Sequence, residues 1–190
     1  MDMLEGAGRR HGKTGVLTAV EGGKSLNGRE RNLLFRNDGD GTFTDVGWVN
    51  AADRVEDGRS LAVADLDRDG REDLVLRNFL MPAHLLRNVG PARRWVQLDL
   101  IGVRSNRDAV GAKVRLRAGD RWQTGVVSAG AGFRGSSSRI RHFGLGDRSV
   151  VDEIVIRWPS GYVTTLRDLP ANLRYTVREG DDVATPIRLR

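Results

Sequence analysis

The sequence predicts an all-β chain: one propeller-blade-like repeat followed by a small antiparallel β-sandwich or barrel. Short apolar or alternating runs recur along it, separated by Gly-, Asn- and Asp-rich turns, with 24 glycines against 5 prolines in 190 residues. No stretch places apolar residues at the three-to-four spacing of a helix of useful length. The pattern Leu33-Leu34-Phe35-Arg36-Asn37 returns as Leu74-Val75-Leu76-Arg77-Asn78 and as His84-Leu85-Leu86-Arg87-Asn88. Short strands repeating with a period near 50 residues suggest a propeller blade.

Composition sets the bounds. With 39% hydrophobic and 29% charged residues, the chain suits one or two small domains with real cores. It has no cysteine, so no disulfide framework exists and thiols say nothing about compartment. No apolar run approaches the roughly 18 residues of a membrane span. The start, Met1-Asp2-Met3-Leu4-Glu5-Gly6, has no basic segment followed by an apolar core, so no signal peptide is recognisable. The expectation is a protein that stays inside, or a fragment of a longer one. The net charge of +6 divides unevenly, −2 over residues 1–90 and +8 over 91–190.

Residues 1–30 read as a Gly-rich N-terminal segment with one strand near 15–20. Gly12-Lys13-Thr14 looks like the end of a phosphate loop, but Ala7 stands where that loop needs glycine, so no nucleotide site is expected. Residues 31–90 form the repeat. Strands are expected at 32–36 and 42–46, the second with Phe43 and Val46 facing inward. Asn37-Asp38-Gly39-Asp40-Gly41 between them supplies the positive φ of a tight turn. Asp38 and Asp40 bring only two carboxylates together, which favours a turn over an ion site. A polar loop over 47–58 leads to strands at 60–64 and 74–76.

Between those two strands runs Asp65-Leu66-Asp67-Arg68-Asp69-Gly70-Arg71-Glu72-Asp73. Aspartates fall at positions 1, 3, 5 and 9 of the loop, with glycine at 6. A tight bend aims Asp65, Asp67 and Asp69 at one point, and Gly70 permits the positive φ behind them. Carboxylates so close repel unless a cation sits among them. A hard divalent ion with oxygen ligands, Ca²⁺, answers this, with Arg71 contributing its backbone carbonyl and Asp73 a further carboxylate. The loop is not an EF-hand: position 12 is Leu76 where that motif needs glutamate, and the flanks read as strands. The plainer alternative is a solvated acidic turn holding no ion.

Residues 91–180 change character. Strands are expected over 95–101, 112–117, 122–127, 140–145, 151–158, 162–167 and 173–178, with Pro159-Ser160-Gly161 joining two of them. Trp122, Phe143, Ile154, Ile156 and Trp158 are the expected core. Gly130, Gly132 and Gly135 with Ser136-Ser137-Ser138 read as a flexible loop, and 181–190 as a tail.

Residues 32–90, through Asn37-Asp38-Gly39-Asp40-Gly41-Thr42-Phe43 and the Asp65–Asp73 loop, resemble an FG-GAP/VCBS-type propeller repeat. In that family the loop is a calcium site, which implies Asp65, Asp67, Asp69 and Asp73 as ligands. Such propellers have about seven blades; a lone blade leaves strand edges open to self-association. Residues 95–180 resemble the ASPIC/UnbV domain of the cartilage acidic protein-like family. Asn106-Arg107-Asp108-Ala109-Val110-Gly111-Ala112, His142-Phe143-Gly144-Leu145-Gly146 and Ile156-Arg157-Trp158-Pro159-Ser160-Gly161 carry that resemblance. It implies a calcium-binding, non-catalytic interaction or adhesion module of a secreted or cell-surface protein, with a protein or glycan partner that the sequence does not name.

Signals for catalysis are sparse. There is no Gly-x-Ser-x-Gly elbow and no Cys/His cluster for zinc. His142, on a strand, reads as a packed residue. An enzyme acting on glycan or a small metabolite rests only on the Gly/Ser loop and scattered acids. The other alternative is a polyanion binder using the basic half, through Lys113, Arg115, Arg117, Arg139 and Arg141, with nucleic acid not expected as the partner; the plainer reading, favoured because the arginines are scattered singly, is a solvated basic surface.

Overall fold

In the computed structural model, which describes residues 30–130, 132 and 134–187, every regular element is a strand. The strand expected near 15–20 and Gly12-Lys13-Thr14 lie outside those residues. The chain divides into two compact units, residues 1–60 with 75–86, and 61–74 with 87–190.

In the first unit, β1 (Phe35–Asn37) and β2 (Phe43–Asp45) pair antiparallel, Phe35 opposite Asp45. Gly39 and Gly41 take φ of +87° and +92° in the turn between them. Asp38 accepts from the Thr44 hydroxyl and Arg36, and Asp40 from the Thr42 hydroxyl and N–H, so these two carboxylates serve the turn. All six strand residues are exposed, and Phe43, expected inside, is 62% exposed. The two three-residue strands pair only with each other, so no second layer is built over Phe43 among the described residues. Val46 is half-buried. The chain also forms a three-stranded sheet in the order β3 (Gly58–Ala64), β4 (Asp73–Asn78), β5 (His84–Leu86), of which residues 61–64 and 73–74, with the loop between them, belong to the second unit.

The second unit holds β6 (Arg94–Ile101), β7 (Lys113–Ala118), β8 (Arg121–Val126), β9 (Arg141–Gly146), β10 (Val150–Arg157), β11 (Val163–Pro170), β12 (Leu173–Arg178) and β13 (Thr185–Ile187). Two four-stranded sheets form, ordered β11-β10-β7-β8 and β13-β12-β6-β9. They share one core. Val114 and Leu116 of β7 and Ile154 and Ile156 of β10 join Val96, Leu98 and Leu100 of β6, Phe143 of β9 and Val177 of β12. Burying each such side chain contributes roughly 1.5–3 kcal/mol. The alternation on β7 follows directly: Val114 and Leu116 are buried, Lys113 and Arg115 exposed.

Three features depart from a plain antiparallel sandwich. β12 runs parallel to β6, Leu173 opposite Val96 through Arg178 opposite Ile101. β13 lies within the segment read as a tail and pairs with β12. Trp122, expected in the core, is 44% exposed. It sits opposite Arg117, on the outward parity of the β7–β8 ladder. The inward positions of β8 are Gln123 and Gly125, and Phe143 Cζ lies 3.1 Å from where a Gly125 Cβ would stand. Phe143 therefore fills the inward space beside Gly125. Phe143, Ile154, Ile156 and Trp158 are buried as expected.

Candidate metal-binding loop

The loop between β3 and β4 is shaped by its own aspartates. Asp67 Oδ1 accepts the Asp69 N–H at 3.3 Å, and Asp69 Oδ1 accepts the Arg71 N–H at 2.9 Å. Asp65 Oδ2 accepts the Gly70 N–H at 3.1 Å, drawing the bend closed. Gly70 has φ +85°, and Arg68 also takes a left-handed φ, +63°. The side chains of Asp65, Asp67 and Asp69 each offer one carboxylate oxygen within 4.8 Å of the others.

Asp73 stands apart from this triad. It is buried at the start of β4, where Oδ2 accepts the Leu66 N–H at 3.2 Å and Oδ1 the Asn88 N–H at 2.8 Å. It closes the base of the loop. Arg71 directs its guanidinium back onto Asp69, and its Nε donates to the Asn88 carbonyl at 2.9 Å. Arg87 lies 2.6 Å from Asp67 and 3.9 Å from Asp69. Slight burial pushes the Asp67 carboxyl up, but the hydrogen bond and charge of Arg87 outweigh it and hold Asp67 below the usual range.

The loop packs on the outer face of β6. That strand is buried on both sides: Val96, Leu98 and Leu100 enter the core, while Trp95 and Gln97 are buried on the opposite parity. Gly70 lies so close to Trp95 that a Cβ there would fall 1.8 Å from the indole Nε1. Gln97 Nε2 donates to Asp65 Oδ2 at 2.8 Å, and Gln97 Oε1 accepts from Arg174 Nε at 2.9 Å. His142 stacks on Trp95 with ring centres 6.2 Å apart, and burial lowers its pKa against the pull of Glu72 and Asp65. The Gly/Ser loop is tied to β3: Ser137 Oγ accepts the Val63 N–H at 3.2 Å, and the Ser138 N–H donates to the Val63 carbonyl at 3.0 Å.

Two buried atoms in this arrangement make no hydrogen bond, Asp65 Oδ1 and His142 Nδ1. Asp65 Oδ1 is buried and makes no hydrogen bond, although its sister oxygen makes two. A buried carboxylate oxygen left so is costly unless a cation meets it. An all-oxygen donor set of three carboxylates fits a hard divalent ion such as calcium.

The five cations expected to contact a polyanion separate into two groups. Lys113, Arg115 and Arg117 line the outward face of β7. Arg139 pairs with Asp108 at 3.2 Å. Arg141 braces the start of β9, its guanidinium donating to the carbonyls of Val126, Ser138 and Arg139. Sequence reasoning missed Trp95, Gln97, Arg87 and Arg174. A signal existed for the first two: Trp95-Val96-Gln97-Leu98 interleaves large residues on both parities, as a strand covered on both faces requires.

Comparison with protein families matches residues 13–76 to the FG-GAP-like repeat and residues 102–184 to ASPIC and UnbV. The first match contains the aspartate triad; the second contains most of the sandwich. The chain is 37% identical over 86 residues to Cartilage acidic protein 1 of Xenopus tropicalis, and 36% identical over 86 residues to that of Homo sapiens. Each alignment takes in 45% of this chain and 12% of the relative, so the chain spans a small part of those proteins. This chain thus carries an FG-GAP-like repeat and, after it, an ASPIC and UnbV domain.

Proposed function

We propose that the chain is a calcium-stabilised, non-catalytic interaction module of an extracellular or cell-surface protein. The observation that carries this is the convergence of Asp65, Asp67 and Asp69 within 4.8 Å around a buried carboxylate oxygen with no hydrogen-bond partner. Those three side chains would hold the ion, with the Arg71 carbonyl as a further oxygen donor. The ion would supply positive charge to a crowded acidic bend and fasten that bend against Trp95 and Gln97. Similarity to Cartilage acidic protein 1 supports the interaction role and the extracellular setting. The exposed apolar residues of the first unit, Leu33, Phe35, Phe43 and Trp48, support contact with further propeller blades or a partner.

A second reading comes from Arg71 and Arg87, which already bring two guanidinium groups to Asp69 and Asp67. On it the loop is neutralised from within and needs no ion. Melting with calcium and with chelator separates the two. An ion at a hundred times its dissociation constant stabilises by about 2.7 kcal/mol, a rise of about 5–10 °C for a chain this size. Asp69→Ala should abolish the rise. A parent whose melting point ignores calcium would favour the internally neutralised loop.

A further inference from the structure

The outward face of the β11-β10-β7-β8 sheet carries five cations. Lys113, Arg115 and Arg117 alternate along β7. Register places Arg157 of β10 directly opposite Lys113, and Arg167 of β11 opposite Glu153. Two of the five are locally matched: Arg167 bonds Glu153 at 2.9 Å, and Arg117 lies 3.6 Å from Asp152. Lys113, Arg115 and Arg157 are exposed and have no carboxylate partner among the described residues. Like charges directly opposite on adjacent strands destabilise a sheet. The Lys113–Arg157 juxtaposition therefore works against the fold, and nothing in the packing requires it.

An exposed aromatic residue stands beside these cations. The Arg115 guanidinium lies 4.6 Å from the centre of the Trp122 ring, and that of Arg117 5.9 Å. Stacking holds the planar Arg115 group in place and leaves its N–H edge for a planar or tetrahedral oxyanion. Along β7 the cations repeat at about 6.6 Å, two residues of strand rise. That row suits a linear chain bearing regularly spaced anionic groups. The indole surface is engaged by guanidinium groups and does not offer the free platform on which nucleic-acid bases stack.

We infer that the outward face of this sheet is a binding site for a linear acidic polysaccharide, with Lys113, Arg115 and Arg157 contacting its sulfate or carboxylate groups. The site is separate from the aspartate loop, so its failure would leave the calcium reading untouched. The whole chain should be retained on immobilised heparin at low salt. The triple variant Lys113→Gln, Arg115→Gln, Arg157→Gln should elute at clearly lower salt, its slope of log affinity against log salt shallower by about 2 for three lost contacts. A charge-matched variant at exposed positions elsewhere, Arg94→Gln, Arg104→Gln, Arg107→Gln, should elute close to the parent. The double variant Lys113→Gln, Arg157→Gln should bind more weakly yet melt no lower than the parent, since it removes a like-charge pair. Four results would overturn the inference: equal elution of triple variant and parent; equal loss in the charge-matched variant; single-stranded DNA displacing the protein more readily than free heparin, which would make the ligand a nucleic acid; or a double variant that loses melting temperature together with binding, which would give the pair a role in packing.

Discussion

Gln97 joins Asp65 to Arg174: its amide donates to the Asp65 carboxylate at 2.8 Å and accepts from the Arg174 guanidinium at 2.9 Å. Gln97 is 1% exposed on the central strand pair β6–β12, so both bonds are shielded from water. The aspartate loop is thereby tied into the sandwich by a polar contact as well as by Trp95.

Gln97→Leu keeps the volume and removes both hydrogen bonds. Asp65 would lose a donor, and Arg174 an acceptor. Asp65 Oδ2 keeps the Gly70 N–H, so each lost bond costs about 1–2 kcal/mol. Urea unfolding should show a loss of about 2–4 kcal/mol, and calcium should restore part of it on the reading proposed above. A loss under about 0.5 kcal/mol would mean that water replaces the amide freely and that the contact contributes little.

Gly70→Ala should be more damaging than an exposed loop glycine normally allows. Its φ of +85° disfavours any side chain, and the new methyl would overlap the Trp95 indole at 1.8 Å. Strain of about 1–2 kcal/mol from the backbone and about 1–3 kcal/mol from overpacking should combine to roughly 2–5 kcal/mol. Trp95 fluorescence should shift as the ring is pushed aside. Gly39→Ala, at φ +87° with open space around it, should lose only the backbone part. Equal losses at the two glycines would show that Trp95 does not rest against the loop.

The local devices of the fold were legible in the sequence, and the long-range ones were not. Glycines at 39, 41 and 70 announced their turns because positive φ is a local requirement. The β7 alternation announced its buried side because one face meets the core and the other meets water. The aspartate triad was visible for the same reason, since alternate positions in one bend share a direction. Asp73 was grouped with the triad by spacing; that its two oxygens also accept the N–H groups of Leu66 and Asn88, the second 15 residues away, was not visible locally. Trp122 was placed in the core by its hydrophobicity, whereas its direction follows from its register opposite the outward-facing Arg117. Arg141 read as a surface cation because nothing local reveals that three carbonyls surround it.

Arg141 provides a further test. Its planar fork serves the carbonyls of Val126, Ser138 and Arg139, linking the end of β8 to the start of β9 across the Gly/Ser loop. Lysine keeps the charge but cannot present several donors in one plane. Arg141→Lys should lower stability by about 1–2 kcal/mol and speed proteolytic cleavage between Ser128 and Ser138. Heparin elution should stay near the parent's, because the brace faces carbonyls. A variant as stable as the parent but weaker on heparin would return Arg141 to the ligand-contacting set.

Glu179 contributes to the acid limb of stability. It follows β12 and is buried, with Oε2 accepting the N–H groups of Val103, Arg104 and Ser105 at 2.7, 2.8 and 2.7 Å. Oε1 accepts the Ser105 hydroxyl at 2.9 Å and the Ser160 hydroxyl. Burial pushes the carboxyl up, but the Ser105 N–H, the Ser160 hydroxyl, the Val103 N–H and the Ser105 hydroxyl outweigh it and bring it to about 2, from an ordinary 4.5. The folded value lies below the unfolded one, so the carboxylate stabilises fully above pH 4.5 and its contribution fades as pH falls towards 2. Glu179→Gln removes the charge and with it this titration. At pH 7 the parent should exceed the variant by about 2–4 kcal/mol, the worth of losing charge-assisted bonds. The gap should narrow steadily in urea titrations carried from pH 5 down to pH 2.5. A gap of constant size across that range would show that the N–H groups of residues 103–105 are satisfied equally well by a neutral oxygen.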